Sequence, residues 1–230
     1  MTKHHHWAAV SVLAVLTATG MWLGYHYHAA WEHALDRDLL SPAHTIGVHH
    51  RVWVLFWSWV SYTLIWLRYL ATAAAGSALV LRRWGTAILL VLCGPLSQYV
   101  SAYIKTLVNR PRPSTMLVFQ SQTSFPSGHA FETAACVLAI LTLLVPLLPR
   151  WRTPLIATGL GVVTLVGTAR VALNVHNPSD VLAGWAMGVL YFGALYLALH
   201  RLNRPREIDL RRLKSQAPGP LGVAGDLPTG

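Results

Sequence analysis

Residues 124–149 read SFPSGHAFETAACVLAILTLLVPLLP. Pro, Ser, Gly and His come first, and then an apolar run long enough to cross a bilayer, which takes about 20 helical residues. Pro suits the first turn of a helix, and Gly lets another group approach the backbone closely. Ser and His are polar groups that a lipid-facing helix has no use for. A helix N-terminus made of small residues, with free N–H groups pointing outward, is a ready site for an anion. Pro-Ser-Gly is also ordinary turn chemistry, so its meaning depends on the surroundings.

The chain of 230 residues is 54% hydrophobic and only 11% charged, with mean hydropathy +0.45. Soluble domains carry about 25% charged residues, so this composition predicts an all-α, polytopic membrane protein. Apolar runs near 7–26, 52–81, 85–107, 128–149, 153–175 and 181–200 predict six transmembrane helices. They form one membrane domain over residues 1–200, followed by a tail over 201–230. The first run, after MTKHHHW, is expected to remain as a span rather than be cleaved. Between the first two runs, AAWEHALDRDLLSPAHTIGVHHR (29–51) mixes charges and reads as an interfacial helix plus a turn. The second run is long for one crossing and holds Arg68, which implies tilt or extension beyond the bilayer.

The formal charge of +10 would raise nucleic-acid binding in a soluble protein. Here Lys3, Arg82, Arg83, Arg150, Arg152 and the tail arginines fall in alternate connections, the pattern of membrane topology. We therefore expect no nucleic-acid partner, and an N-in, C-in protein of the cell membrane. The basic part of the tail, HRLNRPREIDLRRLK, fits either a topology signal or contact with anionic headgroups. The final QAPGPLGVAGDLPTG has the composition of a disordered tail. Cys93 and Cys136 sit inside apolar runs without metal-ligand spacing and read as buried thiols.

Under this topology three polar clusters share the outer face: KTLVNRPRP (105–113), SFPSGH (124–129) and RVALNVHNPSD (170–180). Lys105, Arg112 and Arg170 bring positive charge, and arginine holds phosphate oxygens in bidentate fashion. Ser127 and Gly128 offer a hydroxyl and close backbone N–H groups. His129 and His176 can divide the roles of acid and nucleophile, with Asp180 four residues after His176 to orient its ring. Each piece also has a plainer reading. Lys105 and Arg112 fit snorkelling interfacial side chains. His129 alone fits a satisfied interfacial histidine, and Asn177-Pro178-Ser179-Asp180 fits a helix start that Asp180 merely caps.

Together the clusters spell K-x6-R-P, P-S-G-H and R-x5-H-x3-D. This ordered set resembles the three signature motifs of the type 2 phosphatidic acid phosphatase superfamily, across residues 105–180. The resemblance implies that His176 attacks phosphorus to form a phosphohistidine while Asp180 hydrogen-bonds its other ring nitrogen. It implies that His129 protonates the leaving oxygen and then activates water, and that Lys105, Arg112, Ser127, Gly128 and Arg170 bind the phosphoryl oxygens. It implies no metal and no other cofactor. The expected partner is a membrane lipid phosphate or diphosphate, with bacterial undecaprenyl diphosphate preferred. Phosphatidylglycerophosphate, phosphatidic acid and diacylglycerol diphosphate fit the same cradle.

One departure stands out: the family's third motif usually begins Ser-Arg, and here it begins Ala169-Arg170. A lost hydrogen bond to a charged group is worth roughly 1.5–3 kcal/mol, and Thr168 points elsewhere on a helix. Glu132, one turn after His129, reads as a polar residue near the wet end of the bundle, with contact to His129 or Arg68 as the alternatives. Rival functions remain on this sequence. A lipid phosphotransferase uses the same motifs, whereas a transporter or lipid-binding scaffold would place its polar groups near the midplane.

Overall fold

The computed structural model describes the backbone of residues 2–202 and the side chains of residues 10–200; nearly all of the tail predicted over 201–230 lies outside the described residues. Among these residues every regular element is helical: α1 (Thr2–His26), α2 (Ala30–His49), α3 (Arg51–Ser61), α4 (Thr63–Val80), α5 (Trp84–Cys93), α6 (Ser97–Val108), α7 (Gly128–Leu147), α8 (Arg152–Ala172) and α9 (Pro178–Leu202). Four stretches are long and apolar enough to cross a membrane: Arg51–Val80, Gly128–Leu147, Pro149–Ala172 and Pro178–His200. A fifth forms if α5 and α6 are taken as one span, bent by 43°. The bend falls at Gly94-Pro95, where proline removes a backbone donor and ends the helical ladder. Within α1 the described side chains begin at Val10, and Val10–His26 is apolar. Among the described residues four to five candidate spans are thus shown, where the sequence predicts six over the chain.

The long second run is α3 and α4 joined at Tyr62. The mixed segment after α1 is a 20-residue helix that leaves Asp38 exposed and buries Glu32 and Asp36, two of its three acidic side chains, against the bundle. An interfacial helix would leave these residues in water, so this burial calls for a cation.

The helix opened by SFPSGH is the centre of the bundle. In α7, 61% of the spanning window is buried, against about a third or less in the other spans. Alanines make this possible. Ala135, Cys136, Ala139 and Ile140 of α7 pack on Ala71, Ala75 and Ala78 of α4 and on Leu89, Leu90 and Cys93 of α5. Both cysteines are free and buried there, as their apolar settings predict. In lipid there is no hydrophobic gain from bringing helices together, so close van der Waals contact through small residues carries the association. Gly184 and Gly188 of α9 show this most sharply. A Cβ on Gly184 would lie 2.7 Å from the Ser127 carbonyl oxygen, and one on Gly188 would lie 2.4 Å from that of Phe131. The α7–α9 seam therefore holds the two chemistry-bearing helix starts against each other.

This seam generates a test. Gly188→Ala forces α9 away from α7 and is expected to lower the thermal unfolding midpoint in detergent. Gly193, which has nothing within 4 Å of a built Cβ, gains up to about 1 kcal/mol of helix propensity as alanine, so Gly193→Ala holds or raises the midpoint. Equal behaviour of the two variants would contradict the close-contact account.

Candidate active site

Three chain segments meet at one end of the bundle. The α6 helix ends at Asn109, whose positive φ of 51° turns the chain out of the helix. The connection to α7 is then pinned by three bonds. The Ser124 N–H donates to the Arg110 carbonyl (2.8 Å), the Leu117 N–H to that of Leu173 (3.1 Å), and the Ser127 N–H to that of Asp180 (2.9 Å). On the other side α8 ends at Asn174, also left-handed at φ 53°, and four residues later Pro178 starts α9. The last of the three bonds couples the start of α7 directly to the first turn of α9.

These segments enclose a cavity of about 290 Å³ whose lining includes Lys105, Arg112, Gly128, His129, Arg170 and His176. Larger cavities, such as one of about 740 Å³ bordered by Leu89, Leu138 and Phe192, are not lined by His129 or His176. Lys105 is only 5% exposed and donates to the carbonyls of Thr123 (2.6 Å) and Ser124 (3.2 Å), so it does not snorkel. Arg112 donates to the carbonyls of Gln122 and Val175 and rests 3.1 Å from His176 Nε2. Arg170 is 3% exposed, reaches Ser61 Oγ at 3.3 Å, and keeps its Nε without a partner. Ser127 stands at the N-cap of α7, where serine normally bonds a first-turn N–H. Its hydroxyl makes no such bond and is buried without any partner. Gly128 sits in a tight place: a Cβ there would lie 3.2 Å from Ser101 Oγ and 3.4 Å from Glu132 Oε1, so those side chains would have to yield by a few tenths of an ångström.

His176 and Asp180 are adjacent, but not as the resemblance implies. His176 Nδ1 lies 3.6 Å from Asp180 Oδ2, beyond a hydrogen bond. The Ser124 hydroxyl fills the gap, 3.4 Å from Nδ1 and bonded to Oδ2. The expected direct bond is replaced by a hydroxyl bridge, because Ser124 arrives on the pinned loop. Asp180 also accepts from the Asn177 N–H at 2.8 Å, so it caps α9 while facing His176. The capping and chemical readings both hold. Burial pushes the His176 imidazole well below its ordinary pKa, reinforced by Arg170, Arg112 and Lys105, so the ring is neutral at pH 7.

The sequence reading missed the partners behind Asp180. Arg110 donates from Nη1 to Asp180 Oδ1 (2.8 Å) and from Nη2 to Glu32 Oε1 (2.7 Å) and Asp36 Oδ2 (2.8 Å). Its Nη1 also reaches Ser179 Oγ at 2.7 Å, and its Cζ lies 4.5 Å from the centre of the Tyr25 ring. Burial raises the Glu32 pKa; on Arg110 burial acts downward, but Asp180, Asp36 and Glu32 outweigh it and raise the net value. These three carboxylates surround a guanidinium. Among the described residues no group of three or more His, Cys, Asp or Glu side chains is placed to hold a metal ion. The bland reading of Glu132 is corrected as well. It is buried and ion-paired with Arg68, and its Oε1 accepts from Ser101 at 3.2 Å. Ala169 is fully buried, whereas exposed Thr168 lines an apolar cavity beside Trp53 and Trp57; the threonine hydroxyl does not stand in for the missing serine.

Removing one partner of a buried ion pair costs about 3–5 kcal/mol. Arg110→Met leaves three buried carboxylates without their cation and is expected to lower the unfolding midpoint by several degrees. Arg37, exposed on α2, supplies the control: Arg37→Met leaves the midpoint within a degree or so, since exposed pairs are worth about 0–1 kcal/mol. An Arg110→Met midpoint equal to that of the control would contradict the buried-network reading.

Residues 84–204 match the family model described as PAP2 superfamily. The chain is 32% identical over 123 residues to phosphatidylglycerophosphatase B of Bacillus subtilis (strain 168), covering 51% of this chain and 60% of that one. It is 31% identical over 133 residues to an undecaprenyl-diphosphatase of Sulfolobus acidocaldarius, covering 56% and 58%. The matched part thus spans less than two thirds of either relative. A crystal structure titled as the first transmembrane PAP2 type phosphatidylglycerolphosphate phosphatase from Bacillus subtilis superposes with a TM-score of 0.71 at 23% identity, over 87% of this chain and 98% of that one. That likeness concerns the fold.

Proposed function

Because the chain belongs to the PAP2 superfamily, we propose that it is an integral-membrane phosphatase that removes the terminal phosphate of a membrane lipid through a phosphohistidine. The observation that carries the proposal is the cavity itself. Buried Lys105 and Arg170, half-buried Arg112 and two histidines, delivered by three separate segments, line one space, and phosphoryl transfer asks for little more than positioned charge, a nucleophile and a proton donor.

The chemistry runs as follows. His176 Nε2 attacks phosphorus; the new N–P bond forms as the bond from phosphorus to the lipid oxygen breaks. His129, across the cavity on α7, gives its proton to that oxygen. Lys105, Arg112, Arg170, the Ser127 hydroxyl and the Gly128 N–H bind the phosphoryl oxygens. The unpartnered hydroxyl of Ser127 and Nε of Arg170 are donors available for this. Arg112 leaves Nε2 for a phosphate oxygen when substrate enters. His176 Nδ1–H donates to Ser124, whose O–H donates to Asp180, so the positive charge formed on the ring is met by the carboxylate through one hydroxyl. In the second step His129 takes a proton from water, water oxygen attacks phosphorus, the N–P bond breaks and phosphate leaves.

Relatives named for phosphatidylglycerophosphate and for undecaprenyl diphosphate both match this chain. We favour undecaprenyl diphosphate as the substrate, with phosphatidylglycerophosphate next and phosphatidic acid behind. We also favour six spans, N-in and C-in, in the bacterial inner membrane. The ends of α4 and α7 and the starts of α5 and α8 carry Arg82, Arg83, Arg150 and Arg152, at the pole opposite the cavity. By the positive-inside rule that pole is cytoplasmic and the cavity faces outward.

Phosphate release from these three lipids by purified protein, in detergent with EDTA, tests the proposal. Release is expected to survive the chelator, to be fastest with undecaprenyl diphosphate, and to fall by roughly a thousandfold or more in His176→Ala. Release that EDTA abolishes, or that His176→Ala retains, would overturn it.

A further inference from the structure

The cavity lining holds more polar groups than the phosphoryl cradle uses. Arg68, Gln98, Ser101 and Glu132 line it together with Lys105, Arg112, Arg170 and His176, and Ser101 Oγ, Glu132 Oε1 and Lys105 Cε all lie within 4 Å of a Cβ built on Gly128. Gln98 and Ser101 precede Lys105 on α6 by seven and four residues. At 1.5 Å per residue they lie about 10 and 6 Å further into the membrane. Glu132 follows His129 by three residues on α7, again one turn deeper. Gln98, Ser101 and Glu132 are thus the part of the lining one or two turns inward of Lys105 and His129, and Ser101 and Glu132 adjoin the groups that hold the phosphoryl oxygens.

Beside Glu132 stands a fourth cation. Arg68 is the lone charged residue of α4. Its Nη2 donates to Glu132, while its Nε is buried without a partner, so the guanidinium keeps donor capacity. Glu132 is itself fixed by Ser101 through the other carboxylate oxygen. A charge at this depth is costly and usually faces a functional cavity. Here the ion pair holds Arg68 against the cavity wall instead of letting it snorkel. An uncharged leaving group, such as the diacylglycerol of phosphatidic acid, gives this guanidinium nothing to bind. A leaving group that itself carries a phosphate does.

We infer that Arg68 is a second anion-binding group that reads the inner phosphate of a lipid carrying two phosphoryl groups, and so sets the substrate class. The inference rests on the phosphatase reading above and on His129 marking the leaving-group side. Glu132 is the positioning residue that aims the guanidinium.

Diacylglycerol diphosphate and phosphatidic acid with identical acyl chains differ only by the inner phosphate, so they isolate the term. The quantity to read is the ratio of kcat/KM for the diphosphate to that for the monophosphate, which is independent of how much folded enzyme a variant yields. In the unmodified protein the ratio is expected to exceed about ten, and in Arg68→Gln to fall about ten-fold or more toward one, the size of a lost charge-assisted hydrogen bond. The double variant Arg68→Gln with Glu132→Gln, which leaves no lone buried carboxylate, is expected to show the same collapse. An unchanged ratio in both variants, or a ratio near one in the unmodified protein, would overturn the inference while leaving the phosphatase intact. Absence of release from both lipids and from undecaprenyl diphosphate would instead remove the phosphatase reading on which it stands.

Discussion

The guanidinium of Arg110 is shared by three buried carboxylates, and the geometry of the cavity depends on that sharing. Glu32 and Asp36 come from α2, Asp180 from α9, and Arg110 from the loop after α6. An unpaired carboxylate at this burial would cost several kcal/mol or take up a proton. The cation is what allows α2 to close over the end of the bundle with its acidic face inward. The same contact fixes one oxygen of Asp180. The other is fixed by Ser124 and the Asn177 N–H. With both oxygens held, the Ser124 hydroxyl has a single useful orientation, and His176 inherits it. A buried ion cluster is weak support for stability in general. Here its consequence is alignment.

The second constraint is distance between backbones. Glycines on α9 let α7 come close enough for the Ser127 N–H to bond the Asp180 carbonyl. The helix that carries His129 and the one that begins just after His176 are therefore registered to each other without relying on long side chains. Positive charge can then be concentrated in front of His176 because the neutralising carboxylates lie behind it and below it. Lys105, Arg112, Arg170 and Arg68 line the cavity, Asp180 and its partners sit on the far side of the ring, and Glu132 faces Arg68.

Much of this was legible in the sequence, for definite reasons. Apolar runs of span length predict helices because lipid leaves the backbone no other partner, and the α7, α8 and α9 runs fall within a few residues of the helices observed. Lys105, Arg112, Gly128, His129, Arg170 and His176 were singled out by residue type and spacing, and the fold lines one cavity with them. What stayed hidden depended on tertiary meetings. Glu32 and Asp36 look like the polar face of an interfacial helix, and only their contact with Arg110, more than 70 residues away, gives them another meaning. Ser124 sits next to the recognised motif and looks like loop chemistry. Its insertion between His176 and Asp180 follows from loop pinning that no local pattern encodes. Arg68 and Glu132 are each anomalous in an apolar helix, but the 64 residues between them conceal the pair. The break at Gly94-Pro95 lies inside the run near 85–107 that the sequence reading took as one span.

The central claim is that His176 carries the phosphoryl group between lipid and water. Trapping with a substrate radiolabelled in its terminal phosphate, quenched in alkaline SDS and followed by peptide mapping kept at alkaline pH, tests it most directly, because N–P bonds are acid-labile. The account predicts a transient, alkali-stable and acid-labile label on the peptide that contains His176. A label confined to another residue, or turnover with no phosphoenzyme under conditions that trap one in a known phosphohistidine enzyme, would contradict it.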